Sequence, residues 1–252
     1  GKSTMQPLMI KKMIMEHARQ KNKTITMVDI DFSKAYDSTE KFAKEMSLRR
    51  LGFPEEGIDL WQMYDNSRQM HVLTAYGNTK PITPECGAWG QGAPESPIGW
   101  LAFMSWMSDY IEQNSKAPYE YDTKTTMKKF TKVIYADDGT YFQQTRKGAQ
   151  QIVDAVSKFA TATGIVVKPE KSYIYSTETG KPIKITTYNK SNEKYTLTGR
   201  QETNMRELQE GEYFRHLGNV SDVNCENTAI ATLYRIIAIA TVFDCNCNCL
   251  YF

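Results

Sequence analysis

The chain has 252 residues, enough for one large domain or two small ones with a buried core. Its hydrophobic fraction of 40% excludes a disordered chain, and no stretch offers the roughly 20 apolar residues of a membrane span. A formal net charge of +2 singles out no partner class, so any nucleic-acid contact must come from local clusters.

Apolar residues at Met5, Leu8, Met9, Met13 and Ile14 predict a helix over 5–18. The period then changes, and 24–32 reads as a strand carrying Asp29 and Asp31. Residues 39–51 read as a helix closed by Gly52, with Pro54 just beyond. Residues 56–67 form a second helix, with Ile58, Trp61 and Tyr64 along one side. Strands at 70–75 and 80–83 flank the turn-former Gly77-Asn78. Gly87 to Pro97 is a loop, and Pro97 opens a helix that runs to about Gln113. A polar connector, 114–126, precedes β-rich runs at 132–135 and 140–143. These flank Ala136-Asp137-Asp138-Gly139, which predicts a hairpin. Residues 147–163 form an amphipathic helix stopped by Gly164. Short strands follow at 165–167 and 173–175, then a polar hairpin at 181–197, a strand at 211–217 and a helix over 228–243. Helices and strands in this irregular order predict an α+β fold.

Asp137 and Asp138 are adjacent carboxylates in a predicted turn, with Asp31 a third on a strand. Buried together and unpaired, they would repel one another, and a divalent cation removes that cost. Three such groups can hold two Mg²⁺ ions for phosphoryl transfer. Asp-Asp-Gly is also an ordinary turn sequence, so the residues alone leave both readings open. Of five cysteines, Cys86, Cys225, Cys245, Cys247 and Cys249, the last three alternate at the C-terminus, too closely spaced for a usual zinc site. Reduced thiols and an intracellular protein are expected.

Tyr135-Ala136-Asp137-Asp138 resembles the YADD box of reverse transcriptases. Asp31-Phe32-Ser33-Lys34-Ala35-Tyr36-Asp37 resembles the preceding catalytic motif. Gln91-Gly92-Ala93-Pro94-Glu95-Ser96-Pro97 is similar to Gln-Gly-x-Pro-x-Ser-Pro. Gly164-Ile165 with Lys171 resembles the later Gly-Leu…Lys motif, and Phe214-Arg215-His216-Leu217-Gly218 the primer grip. The ordered set points to the non-LTR, LINE-like branch, with group II intron enzymes as near relatives.

The resemblance implies a polymerase palm, an antiparallel sheet with helices packed on one face, plus partial fingers and the start of a thumb. Residues 1–24 and 39–90 would be the fingers, 25–38 and 91–220 the palm, and 221–252 a truncated thumb. It implies an RNA-directed DNA polymerase from a retrotransposon polyprotein, adding dNMP to a primer 3′-OH. Asp31, Asp137 and Asp138 would bind two Mg²⁺ ions, for which Mn²⁺ substitutes. Lys171 would donate a proton to the leaving pyrophosphate. Phe32, Tyr36, Gln91 and Gly92 would meet the dNTP, with Tyr36 crowding a ribose 2′-OH. Phe214 to Gly218 would hold the primer, and the partners would be an RNA template, a DNA primer and dNTPs, with no membrane.

The sequence departs from the family at Gly90, Glu95, Lys168 and His216, and at Asp29, where an apolar residue is expected. The basic hairpin that clamps the triphosphate and the rest of the thumb are expected to be missing, and no endonuclease or RNase H segment is visible. A decayed palm that binds nucleic acid without catalysis is one alternative. A viral RNA-directed RNA polymerase is another, disfavoured by Ala136 before the carboxylates and by Tyr36.

Overall fold

The computed structural model describes residues 5–83, 93, 95–190, 197–209, 212–216 and 219–222. The chain begins α1 (Met5–Gln20), β1 (Thr26–Ile30), β2 (Phe32–Ser33), α2 (Ala35–Ser38), α3 (Lys41–Arg50) and α4 (Glu55–Ser67). Next come β3 (Leu73–Thr74), β4 (Gly77–Asn78), α5 (Ser96–Asn114), β5 (Tyr119–Asp122), β6 (Met127–Phe130), β7 (Lys132–Tyr135) and β8 (Asp138–Gln143). After α6 (Arg146–Thr163), β9 (Val166–Val167) and a single 3₁₀ turn (Pro169–Lys171) run β10 (Tyr173–Ser176), β11 (Lys184–Lys190) and β12 (Leu197–Asn204). The last elements among the described residues are β13 (Arg206–Glu207), β14 (Tyr213–His216) and β15 (Asn219–Asp222). The fold is α+β, as the sequence predicts. Among the described residues, no helix is long and apolar enough to cross a membrane. The expected helix over 228–243 and all five cysteines lie outside the described residues.

The chain divides into two compact units. The first comprises Gly1–Phe32, Tyr110–Lys158 and Val167–Phe252. It is built on a five-stranded sheet of order β13-β10-β1-β8-β7. Its pairings are antiparallel except the edge pair β10–β13. The chain between those two strands includes the β11–β12 hairpin, long enough to return in the same direction, which a short turn cannot do. β1 is central, and all five of its residues are buried. Met27 on one face of β1, with Ile25 just before the strand, joins Ile14 and Ala18 of α1, Tyr119, Val133, Phe142 and Leu208 in an apolar cluster. Burying such side chains is worth about 1.5–3 kcal/mol each, which fixes α1 against this face.

A histidine ties α1 to the β5–β6 hairpin. The Asp122 carbonyl can only accept, so the His17 Nε2–H donates to it at 2.9 Å, and Nδ1 accepts from the Tyr119 hydroxyl at 2.7 Å. The predicted polar connector over 114–126 is therefore half of a hairpin. Its side-chain anchors, His17 and Lys23, lie more than 90 residues away in sequence, beyond the reach of local pattern. Arg146, at the start of α6, pairs its guanidinium with both oxygens of Glu207 and donates to the Glu178 and Lys181 carbonyls. It thereby fastens the segments on either side of β11 and β12.

The second unit comprises Ser33–Asp109 and Phe159–Val166. Tyr36, Trp100, Phe103, Phe159 and Trp106 form a chain of ring contacts 4.7–5.5 Å apart. Gly52 ends α3 with φ of 76°, and the Phe53 N–H donates back to the Leu48 carbonyl at 3.1 Å, a Schellman closure. The hairpin turn of this unit differs from expectation. Leu73 pairs with Asn78 and Thr74 with Gly77, so the turn is Ala75-Tyr76 and the predicted turn residues are strand. The Thr74 hydroxyl donates to the Gly77 carbonyl at 2.7 Å, a side-chain bond that closes the loop one step earlier.

Candidate active site

The site is built on β1 and the β7–β8 hairpin. Tyr135 pairs with Asp138, which leaves Ala136-Asp137 as a two-residue turn. Ala136 sits at φ of 54°. This left-handed conformation costs a non-glycine residue about 1–2 kcal/mol, and such strain persists where surrounding structure imposes it. The predicted four-residue tip is thus tighter than expected. Asp137 is in the turn, while Asp138 is a strand residue whose direction the ladder fixes.

β8 also pairs with β1, placing Gly139 opposite Ile30 and Thr140 opposite Asp29. Side chains alternate along a strand, so Asp29 and Asp31 share a face with Thr140 and Asp138. This is the face whose other end carries Met27 and Phe142. It changes from apolar to acidic along its length.

The backbone of Asp31 is held on both sides. Its N–H donates to Ser172 Oγ at 3.1 Å, and its carbonyl accepts from the Lys168 N–H at 2.9 Å. Its Oδ2 is buried without a hydrogen bond, with Lys168 Nζ 3.8 Å away. Burial raises the Asp31 carboxyl above its ordinary range, against the charges of Lys168 and Lys171, while Asp137 adds to the rise. The Asp138 carboxyl is pushed up to about 6, first by burial and then by Asp137, Asp31 and Asp29, with Lys11 opposing. The carboxylates thus act on one another through a partly dry site.

Among the described residues, no three His, Cys, Asp or Glu side chains already converge closely enough to hold a metal ion. The donor chemistry nonetheless fits a hard divalent cation. The oxygens are carboxylate, one is buried without a hydrogen bond, and the burial and mutual repulsion that raise Asp138 are both costs a cation relieves.

The other predicted site residues are distributed more widely. Lys171 is exposed in the 3₁₀ turn and acts on Asp31 electrostatically. The Phe32 side chain is buried at 3% exposure. Tyr36 belongs to the second unit, half-buried and stacked on Trp100 at 4.7 Å. Gln91, Gly92, Leu217 and Gly218 lie outside the described residues. Phe214, Arg215 and His216 are in β14, paired with Ser221, Val220 and Asn219.

Three polar neighbours were not anticipated. Lys11 Nζ donates to Asp29 Oδ2 at 2.7 Å, and the Thr140 hydroxyl donates to Asp29 Oδ1. Burial and then Asp29 push the Tyr173 phenol up. The signal was present: Lys11 is on the buried face of α1 with Pro7, Ile14, His17 and Ala18, and a carboxylate inside a fully buried strand requires a partner.

Comparison with known proteins adds a family and relatives. The family model described as "Reverse transcriptase (RNA-dependent DNA polymerase)" matches residues 1–206. The chain is 23% identical over 161 residues to the "Retrovirus-related Pol polyprotein from type-2 retrotransposable element R2DM" of Drosophila melanogaster. That match covers 64% of this chain and 15% of the polyprotein. Among solved structures, a telomerase from Candida tropicalis truncated from its C-terminal domain is similar, with TM-score 0.49 and 13% identity, over 88% of this chain and 40% of that one. A telomerase from Candida albicans in complex with a fragment of telomeric RNA has TM-score 0.46 and 14% identity, over 73% and 32%.

Proposed function

The chain belongs to the reverse transcriptase family, and on that premise we propose that it adds dNMP to a primer 3′-OH under the direction of an RNA template. The similarity to the R2 polyprotein fits the non-LTR branch. The observation that carries the reading is the coupled set Asp31, Asp137 and Asp138. One oxygen of Asp31 is buried without a hydrogen bond, and the Asp138 carboxyl is driven up by burial and then by its acidic neighbours.

Asp31, Asp137 and Asp138 would hold two Mg²⁺ ions, with Mn²⁺ able to substitute. Such ions would supply Lewis acidity for the attacking hydroxyl and the leaving oxygen. The protein's own contribution is placement. The two-residue turn fixes Asp137, the β8 ladder fixes Asp138, and Ser172 and Lys168 fix the backbone of Asp31. Lys171, exposed beside Asp31, would give a proton to the pyrophosphate. Tyr36, held by its stack on Trp100, would crowd a ribose 2′-OH. Phe32, Gln91 and Gly92 would meet the nucleotide, and Phe214 to Gly218 the primer.

The test is primer extension on an RNA template with Mg²⁺ and dNTPs. Asp137→Asn is expected to lower extension by on the order of 10³-fold, the scale of losing a principal charge-stabilising group. Extension that survives this substitution would overturn the assignment. Preference for rNTPs over dNTPs would overturn the role of Tyr36.

A further inference from the structure

We propose that Lys11 is a positioning residue that holds Asp29 back from the catalytic carboxylates and so sets the charge of the cation-binding face. The inference rests on the site assigned above and deepens it.

β1 and β8 bring four carboxylates into mutual influence, since Asp29, Asp31 and Asp137 all act on Asp138. A site of three carboxylates has no use for the fourth, and Asp29 is kept occupied. It is 4% exposed, with Oδ2 taken by Lys11 Nζ at 2.7 Å and Oδ1 by the Thr140 hydroxyl. Asp31 differs: its Oδ2 is buried without a hydrogen bond, and Lys168 Nζ stays 3.8 Å away. The sheet face thus separates a satisfied carboxylate from those left for a cation.

Lys11 is suited to this by its mounting. It comes from α1, across the sheet face and not from within it, and its ammonium lies 5.8 Å from the centre of the Tyr173 ring. The apolar cluster around Ile14 and the His17 contacts to Tyr119 and Asp122 fix α1 in place. Among the charged groups acting on Asp138, Lys11 is the cation. Its charge therefore balances Asp29 and also reaches the ligand set.

The sign of the effect separates positioning from simple structural support. Without Lys11, Asp29 adds an uncompensated negative charge, and cation binding should tighten. Without Asp29, the Lys11 charge is uncompensated and binding should weaken. Loss of packing alone would move both in the same direction.

The experiment is Mn²⁺ titration of the 252-residue chain followed by electron paramagnetic resonance, without nucleic acid, with thermal unfolding of each variant in parallel. Lys11→Met is expected to tighten Mn²⁺ binding, and Asp29→Asn to weaken it, each by roughly threefold to tenfold. The double variant should return to within about twofold of the native chain. Should Lys11→Met fail to fold, weakening by Asp29→Asn that the double variant reverses supports the proposal, and weakening that it does not reverse overturns it. Single variants that shift binding in the same direction, or not at all, also overturn it. A native chain that binds no Mn²⁺ overturns both this inference and the function above, whereas native binding insensitive to the pair overturns only this one.

Discussion

Among the described residues, each unit buries one Lys–Asp pair of nearly identical make-up. In the first, Lys11 and Asp29 meet at 2.7 Å with side chains 8% and 5% exposed. In the second, Lys44 and Asp65 meet at 2.5 Å with both side chains 5% exposed. Their surroundings differ. Lys44 joins α3 to α4, lies 4.4 Å from the centre of the Trp61 ring, and lines a small cavity of about 130 Å³ with Lys41, Ile58 and Trp61. Burial lowers the Lys44 ammonium, opposed by Asp65. Lys11 and Asp29 instead lie among carboxylates, and their charges extend to Asp138. The same pair is a helix fastener in one place and part of a charge arrangement in the other. Desolvation makes a buried ion pair a weak source of stability, so each pair must be explained by what surrounds it.

The units differ in surface as well. Among the described residues, the large apolar side chains left exposed belong to the second unit, with Met5 and Met127 the exceptions. The hairpin there exposes Met70, Val72, Leu73, Tyr76 and Ile82. Carboxylate strain is concentrated in one unit and uncovered apolar surface in the other.

The comparison of the pairs can be broken most sharply at Lys44. Lys44→Met should destabilise the chain by about 3–5 kcal/mol, because it leaves Asp65 buried and unpaired. A Lys44→Met/Asp65→Leu double variant should recover most of that loss, and neither should alter Mn²⁺ affinity. Urea unfolding and the Mn²⁺ titration check both points. A change in Mn²⁺ affinity would erase the distinction between the pairs.

A smaller effect is expected at Asp138. Its carboxyl, ordinarily near 3.8, is raised to about 6 in the folded chain. The folded form therefore binds a proton more tightly than the unfolded form. The stability this contributes is fully present below about pH 4 and is lost as the pH rises through about 6. Discounted for partial exposure, the loss is about 1–2 kcal/mol. In the absence of metal, Asp138→Asn should then stabilise the chain at pH 7 by a similar amount while abolishing extension. Unfolding free energies at pH 4 and pH 7 test this, and a native chain more stable at pH 7 by virtue of Asp138 would contradict it. Added Mg²⁺ should narrow the gap between native and variant.

The smallest change is at the turn. Ala136→Gly should stabilise the chain by about 0.5–1 kcal/mol, since glycine adopts positive φ without a Cβ clash. No such gain is expected at Gly164, also at positive φ, where a Cβ would come within 2.3 Å of Glu40 Cγ. Gly164→Ala should be destabilising. Denaturant midpoints of the two variants give the contrast.

Much of this was legible in the chain. Gly52 and Gly164 marked helix ends, and both take positive φ. The α6 helix was expected over 147–163 and runs Arg146–Thr163. The hairpin at Ala136 was expected as well, though not that its turn holds only two residues. Strand pairing was the least legible. The edge strand β13 carries little local signal, because its partner β10 is set by the sheet, and the β5–β6 hairpin is held by a distant contact, the Tyr119–His17 pair. At Asp29 the sequence showed only an unexpected charge in an apolar strand.

The sequence by itself determined the family and singled out Asp31, Asp137 and Asp138 as the proposed metal ligands, because these depend on residue type, order and spacing. It also determined most helix limits, since periodicity and glycine act locally. Only the tertiary structure decided that Asp138 is a strand residue, that one oxygen of Asp31 is buried without a hydrogen bond, and that Asp29 is satisfied by Lys11 from a helix 18 residues earlier. Those facts depend on strand register and desolvation, which exist only once distant segments meet.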